Sequence, residues 1–364
     1  MKICFDYEIF WKQKLSSIGS RYYFNLIQNL AKYEELDLKV YAGFYLDEKI
    51  SELSNDIVFG KRIKNRIPFT GKITEKFNST FTNYKISKFC PDIIHKTYYS
   101  NNVPKNKSKI ILSVMDLWHE KNSNYNYMPK RNSINIADHI ICISNNTKKD
   151  LVKIYEVDPN KVTVIYLGIE NFEKYKTIPV SKSKDKPYLL YVGARGRYKN
   201  FGNFVEAFSR SKNLKNDFNI LCFGGGNFTK DEEFLFRKNK IQHLVFKSKK
   251  NDDQTLYNLY KNAMCLVFPS SHEGFGLPPL EAMSLGCPVI SSNYEAILEG
   301  VGNAAALFDP FQIEEIKAQL EKTLYSKEII EKLIKNGISQ TKKFSWKKCA
   351  EETLEIYKRL TKLN

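Results

Sequence analysis

Short apolar runs rich in β-branched residues recur along the whole chain. In the first half they fall at 3–7, 38–44, 92–96, 109–114, 139–144 and 162–167. In the second half they fall at 188–192, 218–223, 244–246, 264–268, 288–291 and 305–308. The runs are continuous more than alternating, the mark of strands buried on both faces of a parallel sheet. Helical spacing fills the intervals at 19–32, 147–155, 201–209, 252–262 and 313–324, with Asn145 or Asn146 placed to cap the second of these. This alternation predicts doubly wound α/β architecture with right-handed crossovers.

The rhythm breaks once. Residues 171–187, NFEKYKTIPVSKSKDKP, are polar, Lys-rich and carry two prolines, and read as a linker. With 364 residues there is room for two domains, at 1–170 and 188–345, and for a basic amphipathic helix over 346–364. Residues 59–84 are basic and aromatic without a strand–helix rhythm, and are read as a surface excursion of the first domain.

Charge narrows the partners. Fifty-seven Lys+Arg against 40 Asp+Glu leave +17, which suits nucleic acid, an anionic membrane face or a phosphorylated substrate. No apolar run approaches the roughly 20 residues that cross a bilayer, and the N-terminal segment lacks the apolar core of a signal peptide. The seven cysteines are scattered without a CxxC pair, and read as buried thiols in a reducing cytoplasm.

In open parallel sheets ligands bind beyond the carboxyl ends of strands, so the segments after each run carry the chemistry. After 264–268 comes PSSHEGFGLPPLEAMSLGCPV. Glu273 precedes a glycine-bearing loop, Gly274, Phe275, Gly276 and Leu277, and Pro279 suits the first turn of a helix that holds Glu281. Free N–H groups at such a helix start favour a diphosphate or a sugar hydroxyl. After 188–192, GARGRYKNF clusters Arg195, Arg197 and Lys199, cations that can stabilise a departing diphosphate. Gly224, Gly225 and Gly226 fit either a nucleotide-approach loop or a strand exit. In the first half, Gly19 opens a helix, and MDLWHEKN places Asp116 and His119 at a strand end, the same edge as His95. No acidic DxD pair follows a strand, so the pattern calls for cations and not a metal ion.

Four segments together resemble family 4 glycosyltransferases of the GT-B fold: EGFGLPPLEAMSLGCPVISSN, YLLYVGARGRYKN, ADHIICISNNTKKDLVKIYEVDPNKVTVIYLGIE and FSWKKCAEETLEIYKRL. The resemblance implies two Rossmann-like domains facing across a cleft, with the last helix crossing back to the first domain. It implies a first domain that binds the acceptor and a second that binds a nucleotide-sugar donor. Transfer would retain anomeric configuration without a cofactor or metal. Glu273 would touch donor-sugar hydroxyls, the Gly274–Leu277 amides would hold sugar and diphosphate, and Glu281 would bind the ribose. Arg195 or Arg197, with Lys199, would neutralise the diphosphate, with Gly19 beside the phosphates. Met115 stands where many members carry a histidine, so Asp116 and His119 are the remaining first-domain catalytic candidates.

The leading expectation is therefore a retaining glycosyltransferase of bacterial surface polysaccharide or lipopolysaccharide synthesis. Its acceptor would be a saccharide or lipid-linked, and the enzyme would sit peripherally on the anionic cytoplasmic face of the inner membrane. The alternatives are a basic nucleic-acid-binding α/β protein and a GT-B epimerase. Against nucleic acid stand the absence of a binding module and a basic charge spread along the whole chain.

Overall fold

Every strand pairing in the computed structural model is parallel. The structure describes residues 1–12, 18–66, 69–100, 102, 107–122, 128–170, 172, 175–176 and 186–362. The first sheet contains β1 (Lys2–Phe5), β2 (Asp37–Tyr45), β3 (Val58–Arg62), β4 (Ile93–Lys96), β5 (Lys109–Val114), β6 (His139–Cys142) and β7 (Val162–Val164), in the order β3-β2-β1-β4-β5-β6-β7. The second contains β8 (Tyr188–Val192), β9 (Asn219–Phe223), β10 (Val245–Lys247), β11 (Cys265–Phe268), β12 (Val289–Ser292) and β13 (Ala306–Phe308), in the order β10-β9-β8-β11-β12-β13. Both orders reverse beside the first strand of their sheet, the doubly wound topology. The chain divides into one unit of Met1–Gly168 with Ser345–Asn364 and another of Ile169–Phe344. Most of the linker expected over 171–187 lies outside the described residues.

The C-terminal helix Trp346–Lys362 belongs to the first unit and packs on the helix Ile18–Leu30. Its buried stripe includes Trp346, Ala350, Leu354 and Tyr357. The chain comes so close at Gly168 that a Cβ there would stand 2.2 Å from the Trp346 backbone nitrogen. Tyr357 also reaches the sheet. Its hydroxyl lies 2.6 Å from His95 Nδ1, and His95 Nε2 lies 2.8 Å from Ser113 Oγ, which meets the Tyr22 hydroxyl at 2.9 Å. His95 is completely buried against Phe5, and burial holds its pKa down at about 3. It is an interior hydrogen-bonding group of β4, not a residue of the strand-end edge.

The segment expected to be a surface excursion is regular. It contains the edge strand β3 and the 19-residue helix Gly71–Phe89. The helix escapes hydrophobic-period reading because the face it buries is partly polar. Asn78 bonds both to the Phe44 amide and to its carbonyl, each at 2.8 Å, and Thr82 donates to the Tyr41 carbonyl at 3.0 Å. Two smaller differences concern helix starts. Ser144 caps the helix Asn145–Tyr155, accepting from the Thr147 amide, so neither asparagine is the cap. A helix starting near Pro279 would hold Glu281 in its first turn, but the helix Leu277–Ser284 starts two residues earlier and Glu281 is its fifth residue. All seven cysteines are unpaired, and six are buried.

In the second unit the triple glycine and Arg195 form one device. Gly224, Gly225 and Gly226 all have positive φ, at 84°, 69° and 71°. This turns their carbonyls onto the Arg195 guanidinium: Nη1 donates to Gly224 at 2.8 Å, and Nη2 to Gly225 and Gly226 at 3.2 Å and to Asn227 at 2.8 Å. Nε donates to Glu232 Oε1 at 2.8 Å, and Phe228 covers the guanidinium plane. Glu232 is fixed by a capping box with Thr229 at the start of the helix Lys230–Lys238. Arg195, expected to clamp a diphosphate, has its donors on protein groups in this structure. Its buried guanidinium binds the glycine loop, and it acts as the bolt between the β8 and β9 ends.

Two outcomes follow from these packings. Unfolded protein binds the His95 proton near the ordinary value of about 6.5, while folded protein resists it down to about 3. First-unit stability therefore falls as pH drops through that window. All three tryptophans, Trp11, Trp118 and Trp346, lie in that unit, so their fluorescence in urea reports it. A His95→Gln variant has a shallower pH dependence, and an unchanged slope would remove His95 as the source. The second outcome concerns the glycine loop. Gly225→Ala and Gly226→Ala carry the same left-handed strain of about 1–2 kcal/mol. Only a Cβ on Gly225 meets Arg195 Nη1, at 2.7 Å, while one on Gly226 meets open space. Gly225→Ala is therefore less stable by about a further 1 kcal/mol in thermal unfolding; equal losses would contradict the Arg195 placement.

Candidate active site

In the second unit, three loops leave neighbouring strands at their carboxyl ends. The loop after β8 runs through Arg195 to a short 3-10 turn, Arg197–Lys199, and the loop after β11 runs from Pro269 to Gly276. Backbone bonds join the two. The Tyr198 carbonyl accepts from the Ser271 amide at 2.8 Å and from the Ser271 hydroxyl at 3.1 Å. Across this seam Lys199 Nζ donates to Glu273 Oε1 at 2.6 Å. Their side chains are only 17% and 7% exposed, with Tyr198 and Phe268 rings beside the ammonium. A charge pair this enclosed is held in one geometry, because removing either partner strands the other in poor solvent.

The loop then enters a helix. Gly276 takes φ 91°, and the helix Leu277–Ser284 starts immediately after it with Pro278 and Pro279 in its first turn. Pro278 and Pro279 lack N–H groups, so the donors of this helix start are fewer than in an ordinary one. Phe275 is buried edge-on against Phe344, with ring centroids 5.4 Å apart, which anchors the loop between Gly274 and Gly276. His272 Nδ1 meets the Tyr294 hydroxyl at 2.9 Å, so this histidine shapes the loop. Glu281 is buried, and its Oε2 accepts from the Tyr260 hydroxyl at 3.2 Å. Lys199 and Glu273 are therefore in contact, Gly274–Leu277 continues from them, and Arg195 lies beneath the glycine loop. The Arg197 side chain lies outside what the structure describes.

In the first unit, Asp116 follows β5 and is exposed. Its Oδ1 accepts from the Trp118 amide at 3.2 Å, and its carbonyl accepts from Lys130 Nζ at 2.9 Å. His119, also exposed, stands edge-on to Trp118 in the short helix Trp118–Asn122. Glu120 turns inward instead, pairing with Lys130 at 2.9 Å and accepting from the Tyr155 hydroxyl at 3.1 Å. Gly19 is buried in the first turn of the helix Ile18–Leu30.

This unit also holds a group that the sequence reading did not select. A cavity of about 500 Å³ opens among Glu8, Lys12, Lys72, Lys76, Tyr99 and Asn102. Glu8 is fully buried in its wall. Oε2 pairs with Lys12 at 3.2 Å, while Oε1 has no hydrogen-bond partner among the described residues. Burial, and then the neighbouring Asp6, push the Glu8 pKa above the ordinary carboxylate value, against Lys96 and Lys12. A carboxyl in a cavity wall is a group that a ligand hydroxyl can bond to. The available signal was the pair of acids in the apolar run FDYEIFW. Among the described residues no three His, Cys, Asp or Glu side chains gather as a metal site.

Two family models match the chain in succession, "Glycosyltransferase Family 4" over residues 19–171 and "Glycosyl transferases group 1" over 174–340. The chain is 27% identical over 253 residues to the O-antigen chain mannosyltransferase B of Escherichia coli, a match spanning 64% of each chain. The match thus spans just under two thirds of that relative's length. A sucrose-phosphate synthase from Thermosynechococcus elongatus superposes with TM-score 0.78 at 18% identity, covering 100% of this chain and 99% of that one. Anabaena HepE, solved in complex with UDP-glucose, superposes with TM-score 0.73 at 14% identity, covering 99% of this chain and 100% of that one. These likenesses show the fold, and the fold is GT-B. Joined to the strand-end loops described above, the two consecutive models place the chain in glycosyltransferase family 4, to which it belongs.

Proposed function

We propose that the protein transfers a sugar from a nucleotide-diphosphate sugar to a saccharide or lipid-linked acceptor in the assembly of a bacterial surface polysaccharide. The observation that carries this reading is the enclosed Lys199–Glu273 pair at adjoining strand ends, leading directly into the Gly276 helix start. The O-antigen assignment of the E. coli relative and the UDP-glucose complex of HepE support the substrate class. The nucleic-acid and epimerase alternatives have no comparable support.

In this reading the second unit holds the donor. Lys199 neutralises the diphosphate as it departs, and Glu273 both fixes that ammonium and faces donor-sugar hydroxyls. The Gly274–Leu277 backbone lies along sugar and diphosphate, and Glu281 takes the ribose hydroxyls. Arg197 supplements the cationic charge, while Arg195 holds the loop it sits under. The first unit holds the acceptor, with Glu8 accepting a hydroxyl bond in its cavity, Asp116 and His119 at the strand-end edge and Gly19 on the phosphate side. During transfer the bond from anomeric carbon to diphosphate oxygen breaks, and the acceptor oxygen bonds to that carbon with retained configuration. The acceptor's proton passes to the leaving diphosphate. No cofactor or metal takes part, since a side-chain cation and backbone amides carry the leaving-group charge. The acceptor is presented at the cytoplasmic face of the membrane, where the protein binds peripherally.

Loss of one group that stabilises developing charge slows turnover by about a hundredfold or more. Lys199→Ala and Glu273→Ala both show this in steady-state transfer assays, and near wild-type rates for the two would end the assignment. A thermal-shift series with UDP, GDP and ADP separates binding from turnover, because a ligand at 100 times its Kd adds about 2.7 kcal/mol. Transfer also continues undiminished in EDTA. Activity abolished by chelator and restored by Mg²⁺ or Mn²⁺ would contradict metal independence.

A further inference from the structure

The helix Gly71–Phe89 turns a row of apolar side chains away from its sheet. Asn78, Thr82 and Ile86 face its own sheet. On a 100° wheel Ile73, Phe77, Phe81 and Tyr84 form a stripe at i, i+4, i+8 and i+11, centred about 145° from these three, with Phe81 at its half-buried edge. Ile73 is 71% exposed, Tyr84 58% and Phe77 50%, and Phe69, just before the helix, is fully exposed. The rings are ordered among themselves: Phe77 stacks on Phe81 at 6.2 Å and leans on Phe44 at 5.1 Å. Cations border the stripe. Lys85 lies over Phe81 and Lys88 over Tyr84, and Lys72 and Lys76 stand on the other flank. The one acid of the helix, Glu75, is paired with Lys12 at 3.2 Å.

We propose that this outward stripe is a membrane-docking surface, and that its occupant is an anionic lipid leaflet. Single exposed apolar residues are ordinary, but a contiguous row of them along one helix marks an interaction site. Four lysines against one neutralised acid select a negative partner by charge. Rings and an isoleucine between lysines match an interface where apolar groups enter the acyl boundary and ammonium groups stay among headgroups. The same helix contributes Lys72 and Lys76 to the Glu8 cavity, so docking would bring that cavity close to the headgroup layer. The inference gives a place to the peripheral binding proposed above and rests on that reading for its purpose, but its measurement needs neither donor nor acceptor.

The test is co-sedimentation of the full chain with equimolar phosphatidylglycerol–phosphatidylcholine vesicles and with phosphatidylcholine alone. Wild type binds the anionic vesicles only, and added salt in the range of roughly 0.1–0.5 M weakens binding. Ile73→Ser/Phe77→Ser and Lys85→Glu/Lys88→Glu each lower apparent affinity by about tenfold or more. The fully exposed Phe69→Ser serves as the apolar variant should the first pair disturb folding, which tryptophan fluorescence monitors. Lys327→Glu/Lys347→Glu, at side chains 90% and 79% exposed, makes the same change in net charge elsewhere and leaves binding intact. The proposal is overturned if wild type ignores anionic vesicles, if the apolar variants bind as wild type does, or if the control pair loses as much as the helix pair. It is equally overturned if the apolar variants change self-association in the absence of lipid, since the stripe would then be a protein interface. A failed nucleotide thermal shift with intact vesicle binding would instead count against the transferase reading alone.

Discussion

A parallel strand covered by helices on both faces can offer chemistry only where it ends. In the second unit that constraint sends three loops, from β8, β9 and β11, to one edge, and the structure then locks them to one another. Arg195 joins the β8 loop to the glycine carbonyls after β9. The Tyr198 carbonyl and the Lys199–Glu273 pair join it to the loop after β11. A buried guanidinium with carbonyls and a carboxylate around it is a costly arrangement to disturb, because each partner removed leaves polar groups without solvent. These bonds tie the three loops into one interlocked edge.

The first unit obeys the same constraint with different polar groups. Behind the strand ends, Asp6 takes the Thr97 amide at 2.9 Å and lies 3.9 Å from the buried Lys96. Glu8 follows β1 with one oxygen unpartnered among the described residues, in a cavity wall. His95 looks equivalent on paper, a polar residue late in a strand, but it is sealed between Phe5 and Tyr357 and ties the C-terminal helix to the sheet. Burial that keeps His95 neutral makes it a structural hydrogen-bonding group. Burial that raises the Glu8 pKa leaves a carboxyl poised beside open space.

Much of this was written in the order of residues. Runs such as 109–114 and 188–192 coincide with β5 and β8 because continuous β-branched stretches have no polar face to expose. The loop after β11 and its passage into a helix could be placed from the sequence, since Gly274 and Gly276 just ahead of Pro278 and Pro279 mark a turn into a helix start. The helix Gly71–Phe89 could not be, because its sheet-facing Asn78 and Thr82 are satisfied only by the carbonyls and amides of β2. A periodicity reading scores them as solvent-facing, and scores Ile73 and Phe77 as core.

What the sequence determined by itself was the succession of doubly buried strands and helices, the parallel sheets and the candidate loop after β11. These are properties of contiguous residues, whose backbone hydrogen bonding and apolar period decide their state before any distant contact forms. Tertiary structure alone decided which polar groups face inward. Arg195 became a bolt between strand ends because three left-handed glycines, far along the chain, turn their carbonyls onto it. Glu8 became a cavity acid and His95 a core residue through neighbours from other strands. A side chain's charge and hydrogen-bonding role depend on the solvent and partners around it, and those are fixed by packing between segments that the chain order keeps apart.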